Sequence, residues 1–120
     1  MEQAKLCTSD YRFMSIVWDN EPIQSGELVK ICEKELGWKK STTYTMIKKL
    51  SQKGYMKNED SIVTSLIPKK EVQAFESEYV INNTFGGSLP AFIASFADGK
   101  KLTKSEADQI RRLIDSIAEE

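Results

Sequence analysis

The segment Trp38-Lys39-Lys40-Ser41-Thr42-Thr43-Tyr44-Thr45-Met46-Ile47-Lys48-Lys49-Leu50-Ser51-Gln52-Lys53-Gly54 decides the fold. Thr43, Met46, Ile47 and Leu50 recur at i, i+3, i+4 and i+7, the spacing of one buried helical face. A helix is expected from Lys40 or Ser41 to Lys53, with Gly54 ending it. Lys48, Lys49 and Lys53 fall late in it, where cations suit the negative end of the helix dipole. Thr42, Thr43 and Thr45 are weak helix formers, yet they crowd its first turns. That conflict with propensity points either to surface chemistry or to capping and packing.

Upstream lie two more helices. Ser25 can cap one whose face carries Leu28, Ile31, Cys32 and Leu36, with Glu27 in the first turn and Gly37 at the end. Before it, Thr8 or Ser9 can cap a helix through about Trp18, with Tyr11, Met14, Val17 and Trp18 on its apolar side. Tyr11 and Trp18 are expected as core aromatics, and Trp38 over the turn between helices. Asp19-Asn20-Glu21-Pro22 stops the first helix, because the residue before proline avoids the helical region. Ile23 and Gln24 read as a short extended link.

Downstream, Tyr55-Met56-Lys57 reads as a strand, Asn58-Glu59-Asp60-Ser61 as a turn and Ile62–Ile67 as the returning strand, closed by Pro68. Two helices joined by a short turn, followed by a hairpin, form the winged helix-turn-helix plan. The second helix of that pair is the one that enters a DNA major groove.

Charge supports that use. The chain of 120 residues has net charge −1, but Lys39, Lys40, Lys48, Lys49, Lys53 and Lys57 form an acid-free run. Such a run is either a solvated face or a footprint for phosphate. Borne on this helix, Ser41, Thr42, Tyr44 and Thr45 can reach base edges or phosphate, and the lysines can contact phosphate. The wing tip, Glu59-Asp60, is acidic and opposes close approach to a DNA backbone.

The sequence has two cysteines and no histidine. No His triad, imidazole base or ordinary zinc site can be built, and no catalytic residue, metal or cofactor is expected. No apolar run approaches the ~20 residues of a membrane span. Met1-Glu2-Gln3-Ala4-Lys5 is too polar for a secretory signal. The expected location is the cytoplasm, with no membrane partner.

From Lys69 the pattern is helical alone. Val72, Phe75 and Tyr79 mark one helix ending near Asn82-Asn83, and Phe85-Gly86-Gly87 breaks the chain. Leu89, Phe92, Ile93 and Phe96 follow at i, i+3, i+4 and i+7. Thr103-x-x-Glu106 is a capping box before a helix bearing Ile110, Leu113, Ile114 and Ile117. Three short helices cannot bury so many large apolar residues by themselves; pairing with a second copy would. The expected architecture is mainly α with a small β-hairpin: a winged-helix DNA-binding domain over 1–68 and a three-helix dimerisation domain over 69–120.

The Trp38–Gly54 segment resembles the recognition-helix region of the penicillinase repressor family, which includes the beta-lactamase, methicillin-resistance and copper-transport repressors. Thr42, Thr45, Met46, Ile47, Lys49, Leu50, Lys53 and Gly54 fall on the usual pattern. Met14–Trp18, Phe85–Ser88 and Glu106–Ile114 are similar to its first-helix ending, its glycine break and its last helix. Thr43 stands in place of the usual aliphatic, and Tyr44 where a basic residue is common. The wing has Asp60-Ser61 in place of the frequent Gly-Arg pair.

The resemblance implies a homodimeric repressor on a palindromic operator of double-stranded DNA. Lys40, Ser41, Thr42, Tyr44, Thr45 and Lys49 would face the operator. Val72, Phe75, Tyr79, Leu89, Phe92, Ile93, Phe96, Ile110, Leu113 and Ile117 would supply the dimer and its core. In the beta-lactam branch a sensor and protease pathway cleaves the repressor; the matching bond is Ser95–Phe96, where that branch has Asn before Phe. The copper branch carries a cysteine-rich motif near its carboxy terminus, and this chain has no cysteine after Cys32. A winged-helix protein-interaction module and a transcriptional activator are the alternative functions.

Overall fold

A computed structural model describes residues 6–118; Met1–Lys5, on which the signal-peptide reading rests, and Glu119 and Glu120 lie outside the described residues. The chain divides into two compact units between Tyr79 and Val80.

The first unit contains α1 (Thr8–Asn20), β1 (Ile23–Gln24), α2 (Ser25–Leu36), α3 (Lys40–Gln52), β2 (Met56–Glu59), β3 (Ile62–Ser65) and the start of α4 (Lys69–Thr84). The three strands form one antiparallel sheet in the order β1-β3-β2. Ile23–Gln24 is thus a strand rather than a link, with Ile23 opposite Val63 and Gln24 opposite Ile62. The hairpin is also tighter than the sequence suggests. Glu59 pairs with Ile62, leaving Asp60 and Ser61 as a two-residue turn. Both have positive φ, 52° and 65°, the primed-turn geometry that matches strand twist.

Two expected helix caps are corrected. Cys7 stands at the N-cap of α1 and makes no side-chain cap bond. Ser25 is the first helical residue of α2, behind Gln24. Its backbone N–H donates to the Ser61 carbonyl at 2.8 Å, continuing the β1–β3 pairing. Its hydroxyl shares a 3.4 Å contact with Tyr44 Oη. At the other end of α2, Gly37 takes the left-handed conformation, φ 71°, as its place after Leu36 predicts.

The core draws on every element of this unit. Phe13, Met14 and Val17 of α1 meet Leu28 and Cys32 of α2, Ile47 and Leu50 of α3, Met56 and Val63 of the sheet, and Val72 of α4. Tyr11 and Trp18 sit at its rim rather than inside, edge to face at 5.6 Å. The rim position lets the Trp18 indole N–H donate to the Ile67 carbonyl at 3.0 Å, which satisfies its polar edge. Trp38 stacks on Phe13 at 5.5 Å and braces the turn between α2 and α3. The start of α4 belongs to this unit: Glu76 Oε2 accepts the Leu6 N–H at 3.1 Å, and Gln73 donates to Tyr11 Oη at 3.3 Å.

In the second unit α4 ends and is followed by α5 (Leu89–Ala97) and α6 (Lys104–Ile117). Gly86 and Gly87 both have positive φ, and the Gly87 N–H returns to the Ile81 carbonyl at 2.9 Å. Ser88 caps α5 by accepting the Ala91 N–H at 3.0 Å. Thr103 and Glu106 form the reciprocal capping box on α6. Neither α5 nor α6 has a buried residue.

Candidate nucleic-acid interface

α3 packs its apolar face against the core. Thr43, Ile47 and Leu50 point into the core. On the opposite side, Ser41, Thr45, Lys48 and Gln52 are exposed at i, i+4, i+7 and i+11, so they form one solvent-facing row. Thr42 and Lys40 flank it, also exposed. Tyr44, 38% exposed, is steered by its contact with Ser25. Gln52 escaped the sequence reading; its spacing from Lys48 and Thr45 was the available signal.

Lys39 is the N-cap of α3 and makes no side-chain cap bond. The first backbone N–H groups of a helix have no intrahelical acceptor and attract anions. Lys39 and Lys40 stand at this positive end, Lys48 on the exposed row, and Lys53 beyond the last turn. All four are exposed, and none has an ion-pair partner among the described residues.

Two lysines of the run are otherwise engaged. Lys57 Nζ lies 3.2 Å from Glu59, both exposed, a pairing of little energetic weight. Lys49 Nζ lies 3.3 Å from the buried carboxylate of Asp10. Asp10 did not figure in the sequence reading. Its position three and four residues before Phe13 and Met14 places it on the buried stripe of α1.

Thr43 is enclosed, and Cys32 lies beneath α3 with it. Burial pushes the Cys32 thiol up from its ordinary pKa, with the Glu35 charge adding to the rise and the Thr43 hydroxyl opposing it. Cys7 is exposed; neither cysteine is in a disulfide. Among the described residues no three His, Cys, Asp or Glu side chains stand together to hold a metal. No helix among them is long and apolar enough to cross a membrane.

The residues assigned to a dimer divide. Val72 is fully buried in the first unit and has no surface to offer a second copy. Phe75 is half-buried and stacks obliquely on Tyr79 at 6.2 Å. In the second unit Phe92 is half-buried between Phe85 and Phe96. Leu89, Ile93, Phe96, Ile110, Leu113 and Ile117 are exposed. Ser95 is exposed on α5, and Lys100 Nζ stands 4.7 Å over the Phe96 ring.

The family described as penicillinase repressor matches residues 6–116, nearly the whole chain. The chain belongs to the penicillinase repressor family. A penicillinase repressor from Bacillus licheniformis is 19% identical over 115 residues, covering 92% of this chain and 90% of that protein. An uncharacterized 16.5 kDa protein in the ptsI 3′ region of Latilactobacillus sakei is 24% identical over 118 residues, covering 95% and 81%. Family membership makes the chain a winged-helix DNA-binding regulatory protein and not an enzyme.

Proposed function

We propose that this protein is a homodimeric repressor that occupies a palindromic operator and blocks transcription. The observation that carries the reading is the exposed row Ser41, Thr45, Lys48 and Gln52 on α3, flanked by Lys39, Lys40 and Lys53, which have no ion-pair partner among the described residues. Hydroxyl and amide groups in such a row can read base edges in a major groove, while lysines set register and affinity through phosphate. Thr42 and Tyr44 border the base-reading surface; Lys39, Lys40 and Lys53 flank it. In functional terms, residues 1–68 bind DNA and 69–120 dimerise.

The dimer reading rests on the second unit. Leu89, Ile93 and Phe96 of α5 and Ile110, Leu113 and Ile117 of α6 leave apolar surface in water. Exposed apolar residues in such number mark an association surface, and a two-fold pair presents two recognition helices to two half-sites. Release through a sensor and protease pathway would act at the exposed Ser95–Phe96 bond, in the last turn of α5.

A nuclease footprint on DNA from upstream of the protein's own gene tests the reading. Two protected half-sites with centres about 34 Å apart, or a multiple of that, are expected. One short protected patch, or none, would contradict it.

A further inference from the structure

The helix that faces DNA in this reading is tied to α1 by one charged contact. Asp10 lies in the first turn of α1 and is 4% exposed. Both of its carboxylate oxygens stand 3.3 Å from Lys49 Nζ. No other hydrogen bond or ion pair reaches this side chain among the described residues. Lys49 follows Thr42 by seven residues and Thr45 by four, so it stands on their side of α3.

A buried carboxylate stripped of its cation is strongly disfavoured. Lys49 therefore cannot leave Asp10 for a phosphate without exposing that penalty. Its charge is committed to Asp10 although its side chain stays 42% exposed, whereas Lys48 beside it has no ion-pair partner among the described residues. The pair is a strut between the outer end of α1 and the carboxy-terminal half of α3.

We propose that Asp10 is a positioning residue for DNA recognition: through Lys49 it fixes how α3 presents Ser41, Thr45, Lys48 and Gln52, and Lys49 itself neutralises no phosphate. This inference rests on the DNA-binding reading above. It assigns opposite behaviour to two adjacent lysines. Freeing Lys49 by neutralising Asp10 adds a mobile cation to the surface, which raises sequence-independent attraction while loosening the base-reading row.

The test is an anisotropy titration of wild type, Asp10→Asn, Lys49→Gln and the double variant. The probes are the upstream fragment that wild type selects and a scrambled duplex, over a salt series. Each single variant should lower the selected-to-scrambled ratio about tenfold, the size of one misread base pair. Lys49→Gln should keep the wild-type salt slope. The double variant, whose amides can hydrogen-bond to each other, should regain most of the ratio.

A salt slope lowered by about 0.9 in Lys49→Gln, with the ratio intact in Asp10→Asn, would make Lys49 a phosphate ligand and overturn the inference. If Lys49→Gln does not fold, Asp10→Asn decides alone, since it leaves no unpaired buried charge: a wild-type ratio overturns the inference. A wild type that shows no preference for any upstream fragment would instead remove the DNA-binding reading, and this inference with it.

Discussion

Glu21 grips Ser65 with both carboxylate oxygens: Oε1 accepts the backbone N–H at 2.6 Å and Oε2 accepts the hydroxyl at 2.9 Å. The residue just past α1 thereby fixes the end of β3, the central strand of the sheet. Hydrogen bonds to a charged acceptor contribute more than neutral ones, about 1.5–3 kcal/mol each. Glu21 is half-buried, which lowers that yield. Glu21→Ala should reduce unfolding free energy by about 2 kcal/mol in a urea titration. An unchanged midpoint would show that the wing is held by its ladder alone.

Cys32 gives a pH signature. Its thiol is raised from an ordinary value of 9.0, first by burial. Above that pH the unfolded chain has lost the thiol proton while the native chain keeps it. The native state then binds more protons, so its stability falls as pH rises, by at most about 1.4 kcal/mol per unit from this group. Below that pH the contribution is complete and flat. Cys32→Ala should remove this alkaline slope in urea titrations between about pH 8 and 10.5; a wild-type slope in the variant would refute the assignment.

Much of this molecule was legible in the sequence because its cues are local. The i, i+4, i+7 stripe of Thr43, Ile47 and Leu50 marked α3. Gly37 marked the end of α2, and the Thr103–Glu106 pair marked the start of α6. What escaped depends on partners distant in the chain. β1 is too short to announce itself and exists because Val63 and Ile62 lie opposite it. Ser25 has the composition of a cap, but a strand carbonyl claims its N–H. Val72 fits an amphipathic face, and only tertiary packing shows that the first unit buries it. Charge counting gave Lys48 and Lys49 equal weight, since nothing near them in sequence distinguishes a free lysine from one paired with Asp10.

Lys48 should behave as a phosphate contact. Lys48→Ala is expected to weaken binding to operator and scrambled DNA alike and to reduce the salt slope by about 1. Thr45→Ala should instead change base preference with little effect on slope. Equal slopes for wild type and Lys48→Ala would place that lysine away from DNA.

The apolar face of α6 gives a separate test. Leu113 is 61% exposed and Ile117 69%, so a charge at either leaves the fold of one chain undisturbed. Leu113→Glu should turn a sedimenting dimer into a monomer while helix content by circular dichroism stays the same. It should also lower operator affinity at least tenfold, because one chain engages only one half-site. A variant that still sediments as a dimer would move the interface elsewhere.

In the proposed function α3 binds DNA sequence-selectively. Fluorescence anisotropy against DNA from upstream of the protein's own gene, with scrambled DNA alongside and at two salt concentrations, measures it directly. A preference of about 10³-fold or more for one upstream fragment is expected, with affinity falling as salt rises. Equal, weak binding to both duplexes that disappears at the higher salt would contradict it and leave the lysines of α3 as a merely solvated face.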